Sequence, residues 1–379
     1  MKKTKYHNRR PMLDMAKAYN AKYIMCFGRR GNGKTWEIKD IALNGDPKTR
    51  IPGYIKDGKQ AAYIRRDDTD LKGYRAKRLF DDVVNAGKIE EWTGGAWTDV
   101  VYKEHAWWLA KFDETLNKIV CDARPFMFAF SLSVAHHDKS VAFPNVSNVF
   151  FDEFLTTAGY LPDEWSTFLN TLSTIKRNRE DVKVFFYGNT ISTWCPYFTN
   201  FGINVRKLKQ GEVTPIVYGE EGYRIIVEFC ADSGASGKAA RDPYFAFKDN
   251  TAKMITSGTW DIQIYPTCPQ SYERREIVNE YYIKFDRELL HAEMIYSKGN
   301  FFTFIHRKTT PIKEGDRHMV FQQEWDPRPN YRRSILRPSG RQEKIIISQF
   351  MKDKVFYQDN EVGDIVHNYL LWCKKEAAV

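Results

Sequence analysis

Apolar runs alternating with stretches of helical periodicity lay out the first half of the chain as strand, helix, strand, helix. Tyr23-Ile24-Met25-Cys26-Phe27 is a short continuous apolar run that predicts a buried strand, and Trp36 to Leu43 predicts the start of a helix. A short helix over Pro11–Asn20, with Met12, Met15 and Ala16 on one side, precedes that strand. Ala61 to Arg66 predicts a second strand and Leu71 to Ala86 a helix. Val149-Phe150-Phe151 predicts a strand running into Asp152-Glu153, and Val182 to Tyr187 another running into Gly188-Asn189-Thr190. Between them, Trp165, Phe168, Leu169, Leu172 and Ile175 form a one-faced stripe on a helix that starts at Pro162-Asp163. The span from about Lys88 to Ser133 instead alternates apolar and polar residues around Gly94-Gly95. It predicts an antiparallel hairpin insert in which Trp107 and Trp108 serve packing. Phe201 to Phe229 completes this first domain.

The pattern changes in the second half. Ala231 to Ala240 is rich in Gly, Ser and Ala and reads as a flexible linker or exposed loop, and Asp249 to Trp260 as a small helical piece. Strands are expected at Tyr281–Phe285, Leu289–Tyr296 and Phe301–His306, the last two joined by a hairpin turn at Lys298-Gly299-Asn300. Ile345 to Phe350 and a helix at Ile365–Trp372 close the chain. The expected division is residues 1–230, a linker and small subdomain at 231–275, and a C-terminal domain at 276–379.

Chemistry concentrates in Gly28-Arg29-Arg30-Gly31-Asn32-Gly33-Lys34-Thr35, which matches G-x-x-x-x-G-K-[ST] between a predicted strand and a predicted helix. Glycines let the backbone turn tightly and aim successive N–H groups at phosphates, and the helix presents its positive end to the same point. Lys34 is expected to reach the β- and γ-phosphates of ATP and Thr35 to ligate Mg²⁺. Asp152 at a strand end can hold the Mg²⁺ shell beside Thr35, and Glu153 can polarise the attacking water. ATP hydrolysis is the reading these two motifs support together. Lys176-Arg177-Asn178-Arg179 ends the striped helix, either as ordinary capping of the macrodipole or as an arginine finger reaching a neighbouring subunit's γ-phosphate. Asn189 or Thr190 can sense hydrolysis, or Asn189 is a turn residue. Arg65 and Arg66 face phosphate or polymer, or form a surface pair neutralised by Asp67, Asp68 and Asp70.

Composition narrows the partner. The 379 residues carry a net charge of +10 and are 42% hydrophobic, with 25 Phe and 21 Tyr, enough for real cores. A pI near 9.1 favours a polyanion such as nucleic acid, the alternative being a soluble surface with excess lysine. Lys2, Lys3, Lys5, Arg9 and Arg10 make a basic arm or a solvated tail. Cys26, Cys121, Cys195, Cys230, Cys268 and Cys373 are far apart with no C-x-x-C pair, which argues against structural zinc and for reduced thiols. With no signal peptide and no membrane-length apolar run, a soluble intracellular chain is expected.

These motifs, in this order, resemble the DNA-packaging ATPases of small tailed phages of the phi-29 group and, more distantly, the large terminase subunits. The resemblance rests on Gly28 to Thr35, Tyr63-Ile64-Arg65-Arg66, Lys139-Ser140 with Pro144-Asn145-Val146-Ser147, Phe151-Asp152-Glu153-Phe154, Arg177-Asn178-Arg179-Glu180, and Asn189 through Pro196-Tyr197-Phe198. It covers roughly residues 10–200. It implies an ASCE/RecA-like P-loop ATPase domain, a linker, and an α+β, ribonuclease-H-like vestigial nuclease domain. It also implies a homo-oligomeric ring of five subunits that drives double-stranded DNA into a procapsid through its portal, with a structural RNA as a further partner, in the host cytoplasm. Residue by residue, it assigns Lys34 and Thr35 to phosphate and Mg²⁺, and Asp152 and Glu153 to the acidic pair. Arg177 becomes the trans-acting finger, Asn189 the coupling residue, and Lys139 a family lysine ahead of the acidic strand. Asp67-Asp68 departs from the pattern, since the family can carry a basic residue there. A live nuclease would need carboxylates converging on two metals; Asp286, Glu288, Glu293, Asp353 and Asp364 are the candidates. Arg328, Arg332, Arg333, Arg337 and Arg341 make the region basic, for a procapsid, RNA or DNA contact or as a solvated loop. Other classes are a cutting terminase, a phosphate-loop scaffold that does not turn over, and a nucleotide kinase.

Overall fold

The computed structural model describes residues 7–134, 141–190, 194–231 and 264–377. Lys2, Lys3, Lys5, Lys139, the expected linker beyond Ala231 and the expected helical piece at Asp249–Trp260 lie outside the described residues. Two compact units emerge: Met1–Leu155 with Asp163–Ile191 and Asn200–Trp260, and Thr156–Pro162 with Ser192–Thr199 and Asp261–Val379.

The first unit is built on one sheet. Its strands are β1 (Tyr23–Gly28), β2 (Gln60–Arg65), β3 (Asp99–Lys103), β4 (Ala106–Asp113), β5 (Lys118–Cys121), β6 (Met127–Ser131), β7 (Val146–Asp152), β8 (Lys183–Asn189), β9 (Val213–Tyr218) and β10 (Tyr223–Phe229). They lie in the order β3-β4-β6-β2-β7-β8-β1-β10-β9, with β5 on β4. From β6 to β10 neighbours are parallel, and the flanks are antiparallel. A strand in the middle of a parallel sheet is covered on both faces, so its sequence is a continuous apolar run. β7 fits: Val149, Phe150 and Phe151 are fully buried, Phe150 against Phe185 at 5.2 Å and Phe151 stacked on Phe168 of the Glu164–Lys176 helix at 5.8 Å.

Three expectations change. Leu71–Ala86 is not one helix but short pieces, Gly73–Lys77 and Asp81–Asn85, separated by a turn at 78–80 and followed, beyond Gly87 at positive φ, by Lys88–Thr93. The insert after it is antiparallel in β3, β4 and β5, yet β6 pairs parallel with β2, so the insert extends the main sheet. Its Trp107 is fully buried against Tyr63 and Phe80, while Trp108 lies half-buried under the Lys103 ammonium. Arg9 and Arg10 are not a solvated tail: they open the Arg9–Ala18 helix and pair with Asp40 and, at 2.8 Å, Asp46.

The second unit has its own sheet of β11 (Ile277–Phe285), β12 (Glu288–Ser297), β13 (Asn300–Arg307), β14 (Met319–Gln322), β15 (Tyr331–Arg332) and β16 (Val355–Tyr357), ordered β15-β14-β11-β12-β13-β16. The β12–β13 turn places Lys298 and Gly299 at φ 50° and 80°, the double left-handed geometry that matches strand twist. Ile345 to Phe350 lies within the Arg341–Met351 helix, and the Asn360–Ala377 helix follows β16.

One buried ion pair locks the carboxyl edge of the first sheet. Arg66, just past β2, meets Glu164 at the start of the next helix at 2.7 and 2.9 Å and donates to the carbonyls of Glu153 (3.1 Å) and Phe154 (2.7 Å). Both side chains are almost fully buried. Removing one member of such a pair strands the other charge in the core. Arg66→Ala should therefore destabilise the chain by about 3–5 kcal/mol, read as a lower midpoint in urea at unchanged slope.

Candidate functional site

The loop Gly28–Thr35 joins β1 to the Lys34–Asn44 helix. Gly31 and Gly33 sit at φ 78° and 85°, and a Cβ added to either would meet nothing within 4 Å. Their conformation, not crowding, calls for glycine. Gly28 is the opposite case, since a Cβ there would stand 2.5 Å from Cys230 Cβ. The helix begins at Gly33 with no side-chain cap, leaving its first-turn N–H groups to an external acceptor. Lys34 is buried and curls back into the loop, donating to the carbonyls of Arg29 (2.6 Å) and Gly28 (3.3 Å). Arg29 bonds Asn32 Oδ1 at 3.1 Å, and Asn32 Nδ2 is buried without an acceptor. Arg30 and Thr35 are exposed. A glycine loop with a buried ammonium at a helix N-terminus fits an anion.

Asp152 ends β7, one strand away from β1, because β8 lies between them. That spacing is about 10 Å. Its carboxylate accepts from Tyr63 Oη (2.8 Å) and from the Glu153 N–H (3.0 Å), and Arg65 stands 3.9 Å away. Burial raises its pKa above the ordinary Asp range, against the opposing pull of Arg65 and the Tyr63 hydroxyl. Glu153 occupies φ 56°, a left-handed conformation that costs a glutamate energy, and its half-exposed carboxylate pairs with Arg65 at 2.6 Å. Arg65 also bonds Asp70 at 2.9 Å. Asp152 and Glu153 thus share one guanidinium between two carboxylates, a deficit of positive charge that fits a divalent cation. Arg65 serves this acidic pair, while Arg66 is structural.

Asn189 ends β8 in register with Gly28, and the Thr190 N–H donates to the Gly28 carbonyl at 3.3 Å. β1, β7 and β8 are parallel, so the loop, the acidic pair and Asn189 share one edge of the sheet. Arg177 does not. The helix from Glu164 to Lys176 has 13 residues, a length of about 20 Å, and carries the chain back to the other edge. There Lys22, just before β1, donates to the Glu180 carbonyl at 2.7 Å. Arg177 is exposed at φ 46° and bonds the Val141 carbonyl at 3.2 Å.

In the second unit the candidate carboxylates do not gather. Glu288 pairs with Arg307 at 2.8 Å, Asp286 sits in the β11–β12 turn, Asp353 follows the Arg341–Met351 helix, and Asp364 lies in the last helix. Glu293 bonds the Tyr272 hydroxyl and faces His306 at 3.8 Å. A neighbour went unnoticed in the sequence: Glu280 lies opposite Glu293 across β11 and β12, with His291 at 3.5 Å and His318 at 3.9 Å. Only strand register brings these together. Among the described residues no helix is long and apolar enough to cross a membrane.

The family described as Podovirus DNA encapsidation protein (Gp16) matches residues 1–212. The chain belongs to this family. It is 30% identical over 206 residues to the DNA packaging protein of Bacillus phage phi29, covering 54% of this chain and 52% of the relative, and 28% identical over 179 residues to that of Bacillus phage B103. The chain thus aligns with about half the length of these curated relatives. Its fold matches two solved structures along nearly its whole length. "The Phi-28 gp11 DNA packaging Motor" has TM-score 0.59 at 18% identity, covering 97% of this chain and 99% of that one. "The bacteriophage Phi-29 viral genome packaging motor assembly" has TM-score 0.57 at 20% identity, covering 96% and 98%.

The raised pKa of Asp152 yields a test with a definite sign. A carboxyl that the folded state holds above its unfolded pKa binds its proton more tightly when folded. Ionisation therefore costs stability as pH rises from the unfolded to the folded pKa, and the full cost is present at neutral pH. Asp152→Asn should leave the melting temperature at pH 7 unchanged or higher, with the difference fading below the unfolded Asp pKa.

Proposed function

We propose that the chain is an ATP-hydrolysing motor subunit that drives double-stranded viral DNA into a procapsid. The observation that carries this reading is one sheet edge bearing an anion-ready loop with a buried lysine and, one strand away, an acidic pair short of positive charge. Membership of the encapsidation family supplies the direction of use. On this reading the loop is a phosphate-binding loop in an ASCE/RecA-like sheet. Lys34 leaves the loop carbonyls for phosphate oxygens, and Thr35 and Asp152 hold Mg²⁺. The ion, when bound, neutralises charge developing on the transferred phosphoryl group. Glu153 orients water once it parts from Arg65, whose grip keeps it idle until then. Asn189, beside Gly28, registers the change.

Arg177, about a sheet's length from its own acidic pair, is out of place for its own site. It suits a neighbour's, which calls for a homo-oligomeric ring, five-membered by resemblance, docked on the portal of a procapsid in the host cytoplasm. The chain enters the second unit at Thr156 and again at Ser192, shortly after Glu153 and Asn189. That path supports transmission of the nucleotide state along the backbone. The second sheet, an antiparallel β11–β12–β13 meander with β14 parallel to β11, supports the ribonuclease-H-like reading. Its candidate carboxylates are engaged by Arg307, Tyr272 and histidines or dispersed, which favours a domain that no longer cuts. DNA contacts in a pump are directed at phosphates, since it must ignore sequence. The basic second half and a structural RNA are compatible with that role.

The test is steady-state ATP hydrolysis against protein concentration, with and without double-stranded DNA, for wild type, Lys34→Ala and Glu153→Gln. A steep concentration dependence stimulated by DNA, with losses of about a hundredfold or more in both variants, is expected. Undetectable turnover even with DNA and procapsids would leave a non-hydrolysing scaffold in its place.

A further inference from the structure

Beneath the Gly28–Thr35 loop, three distant segments bring His7, Cys26, Glu228 and Cys230 together so that one donor atom from each lies within 4.8 Å of all the others. Cys26 is in β1, two residues before Gly28. Glu228 is in β10, its register partner, and Cys230 follows β10 with its N–H on the Phe27 carbonyl at 2.9 Å. The two sulfurs are 3.4 Å apart, and Cys26 Sγ is 3.6 Å from His7 Nδ1. A tetrahedral ion with bonds of about 2.3 Å to sulfur and 2.0–2.1 Å to nitrogen would set donors roughly 3.6–3.8 Å apart. The sulfurs need only open by a few tenths of an ångström.

Two carboxylates fix His7 in this cluster. Glu228 is fully buried; its Oε1 takes the Asn8 N–H at 2.5 Å, while Oε2 pairs with His7 Nδ1 at 2.6 Å. The other His7 nitrogen, Nε2, meets the buried Glu37 carboxylate. A carboxylate on the far nitrogen is what fixes the tautomer and orientation of a metal-ligating histidine. It leaves Nδ1 turned toward both thiols and Glu228 Oε2.

We propose that His7, Cys26, Cys230 and Glu228 bind a thiophilic divalent cation, zinc by its tetrahedral N/S/O preference, with Glu37 orienting His7. All four positions are taken by protein, so the site is structural. It ties the segment before the Arg9–Ala18 helix to β1 and β10 and braces Gly28 from below. Nothing in it depends on nucleotide turnover.

The full chain, purified without an affinity tag or chelator, should carry about one zinc per chain by elemental analysis. Exchange for Co²⁺ should give tetrahedral d–d absorption and a thiolate-to-cobalt charge-transfer band. Cys26→Ser and Cys230→Ser should each lower that band by about half or abolish it, while Cys373→Ser leaves it unchanged. Because the cysteine variants can fail to fold, Glu228→Gln gives an independent reading: the thiolate band persists but Co²⁺ binds at least tenfold more weakly. Stripping the wild-type metal should lower the melting temperature, restored by Zn²⁺. A folded wild-type chain that is metal-free and shows no charge-transfer band on Co²⁺ titration would overturn the proposal. So would a Cys26–Cys230 disulfide in protein isolated under reducing conditions.

Discussion

Parallel pairing of β7, β8 and β1 is the constraint from which the first unit's layout follows. Because the strands run the same way, whatever ends each of them arrives at one edge: the glycine loop, Asp152-Glu153 and Asn189. For the same reason the helix between β7 and β8 must return to the other edge before the next strand can start. Arg177, one residue beyond that helix, is delivered there. A sheet of this kind can assemble the loop and the acidic pair within one chain, but it puts the C-terminal end of the crossover helix out of their reach. Oligomerisation is then a geometric requirement of any role for Arg177 in catalysis.

The carboxyl edge is also where charge is least balanced. Arg66 is held by Glu164 and two carbonyls, so it anchors the start of the crossover helix. Arg65 stands among Asp70, Asp152 and Glu153. Burial keeps Asp152 reluctant to ionise, and Glu153 is held in a strained backbone conformation. None of this favours stability. Costly features gathered at one edge, beside a donor-rich loop, are what a site kept for chemistry looks like.

Much of this was legible in the sequence because its signals are local. The G-x-x-x-x-G-K-T loop, the apolar run into Asp152-Glu153 and the stripe Phe168–Leu172–Ile175 lie in contiguous segments whose periodicity survives folding. What escaped depends on register or on distant chain. Leu71–Ala86 has helical composition, but a turn at 78–80 divides it. The insert reads as hairpins, and only pairing with β2 shows that β6 belongs to the main sheet. Arg65 and Arg66 look equivalent as neighbours, yet one serves the acidic pair and the other the core. Glu280 and Glu293 meet only across two strands. Cys26 and Cys230, with no short spacing to betray them, meet because β1 and β10 are adjacent. The second unit's claim on Thr156–Pro162 and Ser192–Thr199 leaves no mark in composition at all.

The most direct measurement is complementation between two inactive subunits. In the proposed mechanism Glu153→Gln lacks the water-orienting carboxylate and keeps the finger, and Arg177→Ala keeps the carboxylate and lacks the finger. Each alone should be inactive in DNA-stimulated ATP hydrolysis. Mixed in equal amounts under ring-forming conditions, some interfaces join an intact carboxylate site to an intact Arg177, so a split site predicts that part of the wild-type rate returns. If Arg177→Ala is as active as wild type, or if mixing restores nothing while both variants still assemble, the site is complete within one chain and Arg177 has no part in it.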